Sequence, residues 1–541
     1  MNRARHYLMN PPHTATAERP AREVRRSEPK SPPAEHVADK PAEIQAPTHA
    51  EIRAIILGLL LAMFLAALNQ TIVATALPTI GREFDDFENL SWIVTAYLLT
   101  STAVAPLYGK LSDVHGRRFM MLTAIGIFIA GSVLCALAPN MMTLVLGRGL
   151  QGLGGGGILP IAQSIIADII APRVRGRYQV YMGTVWVSAG AAGPVLGGVV
   201  SEHLHWSLVF WINLPIGLAA AFMTHRRLRG LPRHDRPHKL DLLGAALMMG
   251  AAIPLLLALT WGGARFPWVS PVILGLLVAS GLLSLAFAWR LSAAPEPFLP
   301  IPVMANPIMR WGTASTAFAM GTSIGLTIFV PLYYEVVHKL SATQSGLAMI
   351  PIVAMTTPGS IMSGRAMMYL KHYKWVPMVG LTLAVAALAV LAWNPRLPLN
   401  GVLVVLCIVA IGIGTVYPVA TVSIQNAMAR HQQGIAMGAM NFFRSLGSAL
   451  VVAMMGAIIL AWLGRAPERG TGTGSLGAFA ASLGIDLADV FAYVFIAAAI
   501  CLALAFVSIT AMEERPLRGP ATTQTPASTI SADPGPATPS G

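Results

Sequence analysis

The chain has 541 residues, of which 55% are hydrophobic and only 11% are charged, and its mean hydropathy is +0.62. Soluble domains carry roughly 25% charged residues, so this composition excludes a soluble globular protein and indicates a chain that crosses the membrane many times. The net charge of +13 does not indicate nucleic-acid binding, because the basic residues lie in short patches between apolar runs, where lipid headgroups act on them. The expected partner is therefore the lipid bilayer, with no nucleic acid.

Apolar runs long enough to cross a bilayer, which takes about 20 residues, recur along the chain. They lie at 52–77, 91–109, 119–138, 142–165, 177–200, 207–225, 240–260, 270–290, 311–334, 345–368, 375–393, 399–424, 436–462 and 488–511. About fourteen transmembrane helices follow, and the predicted fold class is an all-α polytopic membrane protein. The polar, Pro-rich tails at 1–50 and 516–541 cannot bury enough apolar surface to fold, so we expect both to be disordered.

Basic residues are distributed unequally among the loops that connect these runs. Arg117 and Arg118 lie in one loop, the cluster Arg226 to Lys239 lies in another loop of the same side, and the first loop of the other side is acidic, from Glu83 to Glu88. Loops rich in Lys and Arg remain on the cytoplasmic side of a membrane. The pattern predicts that both termini are cytoplasmic.

A charged segment separates the second and third runs, with Gly109, Asp113, Gly116, Arg117 and Arg118 at fixed spacing. A carboxylate at this point can pair with a neighbouring arginine or cap a helix N-terminus, and the glycines permit a tight turn and close backbone approach. The spacing resembles the signature loop of the major facilitator superfamily, Gly-x-Leu-x-Asp-x-x-Gly-Arg-Arg/Lys. We interpret the five residues as a cytoplasmic gate motif; the alternative is a basic turn with an incidental aspartate.

Arg148 lies in the middle of the fourth apolar run, three residues before Gln151. A charge at this depth costs several kcal/mol unless it faces a polar interior and has a partner, and Gln151 falls near the same helix face. The segment resembles the fourth-helix motif of the same superfamily, Arg-x-x-Gln-Gly, whose arginine is associated with proton coupling. The alternative is an arginine that reaches the membrane interface.

The fifth run contains Ala189, Gly193, Pro194, Gly197 and Gly198. Small residues four apart allow another helix to pack closely, and the proline removes a backbone hydrogen bond and bends the helix. The run resembles the antiporter motif, Gly-x-x-x-Gly-Pro-x-x-Gly-Gly, which favours export over import, although Ala189 replaces the first glycine. A plain packing face is the alternative.

Two charged residues stand out in the C-terminal half of the chain. Glu335 is a candidate for ion coupling, but the predicted topology puts it near the external end of its helix, where it would simply be hydrated. Arg444 is a second intramembrane cation, which either lines the transport pathway or reaches the cytoplasmic interface. Together with Arg148 it makes an anionic or zwitterionic substrate conceivable.

A faint internal repeat indicates two related halves, as expected for a transporter whose halves rock about a central site. The positions Gly154, Gly156, Pro160, Asp168 and Gly176 recur at one constant spacing as Gly412, Gly414, Pro418, Asn426 and Gly434. The predicted organisation is a tail at 1–50, a six-helix bundle at 51–229, two inserted helices at 230–295, a second bundle at 296–515 and a tail at 516–541. No spacing of His or Cys suggests a metal site or a cofactor, and no nucleophile–base pair suggests an enzyme.

Further stretches, which with these motifs span nearly all of residues 55–510, resemble the fourteen-helix drug:proton antiporters of the EmrB/QacA type. They include Leu68–Pro78, Ser91–Tyr97, Trp206–Gly217, Asp241–Gly244 and Val330–Tyr334. The resemblance implies the major facilitator fold: two six-helix bundles, two extra helices between them, and alternating access. It also implies efflux of amphipathic or cationic compounds driven by proton entry, and it leaves room for a periplasmic adaptor protein that no feature here requires.

The first helix departs from this family in one respect. Many relatives have an aspartate where this chain has Asn69, which cannot titrate. Another carboxylate, or Arg148 with a different partner, would then serve the coupling. We place Asn69, Gln70, Thr71, Arg148, Gln151 and Arg444 in or beside the central cavity, with Glu335 as the coupling candidate.

The sequence therefore predicts a secondary transporter of the bacterial inner membrane that exports small amphipathic compounds, with protons as coupling ion. The nearest alternative is an exporter of one dedicated compound, such as a siderophore, an antibiotic or a lipid. A non-transporting membrane sensor on the same fold is a further alternative, although a sensor has no need of both Arg148 and the gate motif.

Overall fold

The computed structural model describes residues 49–86, 89–228, 241–463 and 486–517, and all regular elements in these ranges are helices. In the first half they are α1 His49–Phe84, α2 Leu90–His115, α3 Arg117–Ala136, α4 Met141–Ile169, α5 Pro172–His203, α6 Leu208–Trp211 and α7 Asn213–Arg227. They continue with α8 Leu242–Trp261, α9 Pro271–Ala293, α10 Ile301–Ala305, α11 Pro307–Val337 and α12 Ala342–Tyr369. The last are α13 Trp375–Trp393, α14 Leu399–Ala427, a 3-10 turn Arg430–Gln432, α15 Gln433–Leu463 and α16 Leu487–Ala511.

Within these ranges, 14 helical segments are long and apolar enough to cross a membrane, which confirms the predicted fold class. Several helices are longer than their apolar runs: α1 extends to Phe84 and α2 to His115. Hydropathy marks only the part of a helix in hydrocarbon, whereas backbone hydrogen bonding continues into the headgroup region. The run at 207–225 is a short helix, α6, followed by α7. The predicted tails and the basic cluster near 229–240 lie almost wholly outside the described residues.

Side-chain caps fix where several helices begin. Asn140 accepts a hydrogen bond from the Thr143 amide at the start of α4. Ser341 and Gln344 form a reciprocal capping box at the start of α12. Each cap satisfies amides that have no partner within the helix, and so helps to set the register at which the following helix enters the membrane.

The helices before and after the α8–α9 pair pack mainly within two groups. In the first group α1 packs on α5 and α7, and α4 packs on α2 and α3. In the second group α12 and α13 pack on α14, and α11 packs on α15 and α16. The two groups meet along two seams, α2 against α15 and α5 against α12. The division at residues 51–229 and 296–515 stays a prediction, but this packing is consistent with it.

The repeated glycines make equivalent contacts in the two groups. A side chain at Gly154 would overlap the α3 backbone at Phe128, and one at Gly412 would overlap the α13 backbone at Gly380. Likewise, Gly156 lies against the α2 backbone and Gly414 against the α12 backbone. The repeat therefore corresponds to two sites of close helix packing that occur once in each group.

The inserted pair α8 and α9 is held by one buried carboxylate at the start of α8. Asp241 accepts hydrogen bonds from the Gly244 amide at 3.0 Å, from the Arg290 Nε of α9 at 3.0 Å and from the Phe298 amide at 3.3 Å. Helix α8 in turn packs against α2 and α15. The pair is thus attached, through α8, to the seam between α2 and α15.

Candidate functional site

The α2–α3 turn carries a buried ion-pair cluster. We call the membrane face with this turn the motif face, and the opposite one the far face. Arg117 Nη1 lies 2.6 Å from Asp113 Oδ1, and Arg117 Nε lies 3.0 Å from Asp168 Oδ2 at the end of α4. The side chains of Arg117 and Asp113 are 8% and 7% exposed, so little water screens the pair. Gly116 has φ of 90°, which favours glycine and allows α3 to begin at the next residue.

Asp113 also connects this cluster to the other group of helices. Its Oδ1 accepts from the Gly434 amide at 3.0 Å and its Oδ2 accepts from the Ile435 amide at 2.8 Å. These are free donors at the start of α15, where the helix dipole favours a negative charge. Asp113 therefore both pairs with an arginine and caps a helix N-terminus, the two roles its position suggested.

The backbones of α2 and α15 touch beside this cap. A Cβ built at Gly109 would overlap the Gly434 carbonyl, and a Cβ at Gly434 would lie 2.5 Å from Asp113 Oδ1. Farther along α15, a Cβ at Gly438 would lie 2.6 Å from the Ala105 carbonyl oxygen. Gly434 and Gly438 were not identified as site residues from the sequence, because their partners are more than 300 positions away.

The second seam closes at the same face without this charge cluster. A Cβ at Gly364 of α12 would lie 2.7 Å from the Gly176 carbonyl oxygen of α5. The Arg173 Nε donates to the Met368 carbonyl at 3.1 Å, but this bond is exposed. Helices meet backbone to backbone at both seams, and a buried carboxylate strengthens the α2–α15 seam.

A second polar layer joins the two groups deeper in the membrane. Asn441 Nδ2 donates to Gln163 Oε1 at 2.7 Å, and Gln425 Nε2 donates to the Gln163 carbonyl at 3.1 Å. All three side chains are buried. Sequence reasoning missed this layer, since an isolated Gln or Asn in an apolar run does not reveal its partner.

Two adjoining cavities lie between the groups, and this layer forms part of their walls, with Asn441 in the larger cavity and Gln163 in the smaller. The larger has a volume of about 690 Å³ and the smaller about 300 Å³. They share Leu159, Trp186, Met320 and Arg444 as wall residues. The larger one continues along α8 to Gly263 and along α15 to Leu460, near the far-face ends of both helices. Closure at the motif face with space toward the far face is the arrangement of a transporter open to one side.

Arg148 lies behind the wall of the larger cavity. It is 1% exposed, donates from Nε to the Ile93 carbonyl at 2.8 Å and from Nη1 to Gln151 Oε1 at 2.5 Å, and stacks 4.5 Å from the Tyr97 ring centroid. Gln151 donates onward to Ser132 at 2.6 Å. Among the described residues no carboxylate pairs with Arg148. Tyr97, not Arg148, lines the cavity.

The three predicted residues of α1 face different directions. Gln70 lines the larger cavity. Asn69 is buried and accepts from Asn213 Nδ2 at 3.3 Å. Thr71 donates to the Ala189 carbonyl of α5 at 2.9 Å, which makes it a helix-packing residue. Glu335 is half-buried in α11 and belongs to neither cavity wall.

The three glycines of the antiporter motif are not equivalent: two contact α1 and one does not. A Cβ at Gly193 or Gly197 would overlap the hydroxyl of Thr71 or Thr75 in α1, so α1 and α5 are in close contact there. A Cβ at Gly198 would meet nothing within 4 Å. Pro194 lies inside α5. Only part of the motif therefore serves the α1–α5 contact.

Comparisons with known proteins agree with this architecture. Residues 59–452 match the family model described as Major Facilitator Superfamily. The chain is 34% identical over 398 residues to the multidrug transporter protein MdtP of Bacillus subtilis, covering 73% of each chain. It is 32% identical over 401 residues to multidrug resistance protein fnx1 of Schizosaccharomyces pombe, covering 72% of this chain and 75% of that one. A bacterial homologue of the iron transporter ferroportin has the same fold, with a TM-score of 0.59 at 12% identity over 85% of this chain and 98% of that one.

Proposed function

Because the chain belongs to the Major Facilitator Superfamily, we propose that it is a multidrug exporter that moves small amphipathic organic compounds by alternating access. The observation that carries this proposal is the cavity of about 690 Å³ between the two groups of helices, lined mainly by apolar side chains. Pockets of this size hold drug-sized molecules by burying apolar surface, with a few polar groups to orient them. The curated relatives named above as multidrug proteins support the same reading.

The transport cycle opens the motif face and the far face in turn. In the arrangement described here, the Asp113 cap and the Gln163–Asn441 layer separate the cavity from the motif face. Breaking these contacts opens the cavity to the motif face, while the ends of α8 and α15 close at the far face. The substrate site stays in place, and the two groups rotate about it.

We place the motif face in the cytoplasm, with both termini on that side, and the protein in a bacterial inner membrane. The basic loops support this orientation through the positive-inside rule. Amphipathic compounds entering from the cytoplasm would then leave at the outer face. A periplasmic adaptor remains an optional partner that this mechanism does not need.

Proton antiport is the proposed driving force. Because Asn69 cannot bind a proton, we assign coupling to the buried network of Arg148, Gln151 and Tyr97, with Glu335 as the carboxylate to test. Glu335 is the group that would take up and release the proton, and its change of charge would shift the balance between two packings of the helices and of this network.

The test is accumulation of a fluorescent dye in inverted membrane vesicles, with and without a pH gradient. Wild type is compared with Arg148→Ala and with the control Gly198→Ala, whose added methyl group meets nothing within 4 Å. Gradient-driven accumulation that is lost in Arg148→Ala and kept in the control supports proton-coupled export. Absence of transport across a panel of neutral, cationic and anionic dyes, with correctly inserted protein, would rule out broad multidrug export and favour a dedicated exporter.

A further inference from the structure

We infer that the cavity selects organic anions, and that Arg444 binds the carboxylate or sulfonate group of an amphipathic substrate. This inference rests on the proposed export function and specifies its substrate class. It is carried by the charges of the cavity wall and by the absence of a hydrogen-bond acceptor for the Nε of Arg444.

The wall of the two cavities carries a single charge. Of the described residues that line either cavity, Arg444 is the one with a formal charge, and no aspartate or glutamate is among them. A permanent cation in a cavity lined mainly by apolar side chains attracts anions and repels cations, because walls of low dielectric strengthen both effects. Strongly cationic drugs would find no counter-charge in this wall.

Arg444, which is half-buried, also differs from the arginines buried in the helix bundle. Arg117 pairs with two carboxylates, and Arg148 and Arg175 donate to carbonyl or amide oxygens. By contrast, the guanidinium of Arg444 makes no hydrogen bond or ion pair within the described ranges, and its Nε is buried without an acceptor. A guanidinium has five N–H donors in a planar fork that fits a carboxylate or sulfonate. The missing acceptor is what such a ligand would supply.

The surroundings of Arg444 match the rest of an amphipathic anion. Ser445, next to Arg444 in α15, also lines the larger cavity, and its hydroxyl can donate to the anionic group. The amide hydrogens of Asn441 are already donated to Gln163 Oε1 and the Met437 carbonyl, and the Ser448 hydroxyl is donated to the Arg444 carbonyl. Trp186 and Met320 belong to both cavity walls and offer apolar contact to an aromatic or aliphatic body. The anionic head is therefore placed where the two cavities meet.

The experiment compares three probes with one fluorophore and different charges. Dansylglycine is an anion, dansylamide is neutral and dansylcadaverine is a cation at neutral pH. Binding to the purified full-length protein in lipid nanodiscs is measured by titration of dansyl fluorescence. Wild type should bind the anion more tightly than the neutral probe, and the neutral probe more tightly than the cation, which tests the inference without any variant.

Two substitutions at position 444 then test whether Arg444 is the cause of the preference for the anionic probe. Arg444→Gln should weaken binding of dansylglycine by roughly 10- to 100-fold, the range for losing hydrogen bonds to a charged group, and should change dansylamide binding less than about threefold. Arg444→Lys should restore most of the affinity. The matched control is Arg310→Gln, which makes the same chemical change at an exposed arginine outside both cavities.

Transport of the same probes in proteoliposomes separates this inference from the export function. If dansylcadaverine is bound and transported as well as dansylglycine, or if Arg444→Gln binds the anion like wild type, the anion site is refuted and export stands. If the folded protein neither binds nor transports any of the three probes, both proposals fall together. Preferential transport of dansylglycine that requires a cation at position 444 supports both.

Discussion

The substitution Gly434→Ala should open the motif face. A Cβ at this position would lie 2.5 Å from Asp113 Oδ1, about 0.9 Å short of the 3.4 Å at which ordinary contact begins. The same Cβ would overlap the Gly109 carbonyl, so α15 cannot stay in place by moving a side chain. Relief requires the backbones of α2 and α15 to separate.

The free energy that the closed state loses can be worked out from the two hydrogen bonds that Asp113 accepts. The Gly434 and Ile435 amides donate to Asp113 over 3.0 and 2.8 Å, and a separation of about 0.9 Å breaks both. Hydrogen bonds to a charged group contribute about 1.5–3 kcal/mol each, so the closed state loses at least about 3 kcal/mol. The ratio of closed to open molecules should therefore fall roughly 100-fold.

The assay is a spin-label distance between His115 and Arg430, two exposed residues at the motif face, in a chain whose three cysteines have been replaced. Gly434→Ala should shift the distance distribution to longer values. The control is Gly126→Ala in α3, where a Cβ meets nothing within 4 Å, and it should leave the distribution unchanged. A distribution for Gly434→Ala identical to wild type would refute the argument that this glycine contact holds the seam closed.

Three further substitutions address other contacts. Gly193→Ala should reduce transport roughly tenfold because its methyl group overlaps a threonine hydroxyl of α1, whereas Gly198→Ala should transport like wild type; equal losses would contradict the division of the motif. Asp241→Ala should lower the free energy of unfolding by about 3 kcal/mol, since it leaves Arg290 without its counter-ion and α8 without its cap; an unchanged apparent melting temperature in detergent would contradict this role. Asp113→Asn should shift the same spin-label distances as opening does, because an amide pairs poorly with the α15 N-terminus, and a wild-type distribution would show that the charge is dispensable.

The transmembrane architecture could be predicted from the sequence because each span carries its own signal. A helix that crosses hydrocarbon must be predominantly apolar over about 20 residues, and an isolated charged turn such as the one at Asp113 stands out against that background. The pairing of Arg148 with Gln151 was predictable for the same reason, since both lie near one face of a single helix.

The contacts between distant helices could not be predicted in this way. Whether Thr71 faces the cavity or α5 depends on how α1 is rotated, which its own sequence does not state. The partners of Asp113 across the seam are two backbone amides, and every residue type except proline has one. The absence of an acceptor for Arg444 likewise emerges only when the neighbouring helices are assembled.

The unequal construction of the two seams has a consequence for the direction from which molecules enter. The α2–α15 seam carries the buried Asp113 cap, whereas the α5–α12 seam holds through glycine contact and an exposed hydrogen bond. We expect the weaker seam to part first, so that the initial gap forms between α5 and α12, and the Asp113 cap breaks only as the opening is completed. This gap faces the hydrocarbon of the leaflet at the motif face as well as water. An amphipathic compound already dissolved in that leaflet would enter through this gap directly from the lipid. Its concentration in the membrane, not its concentration in water, would then set the rate of entry.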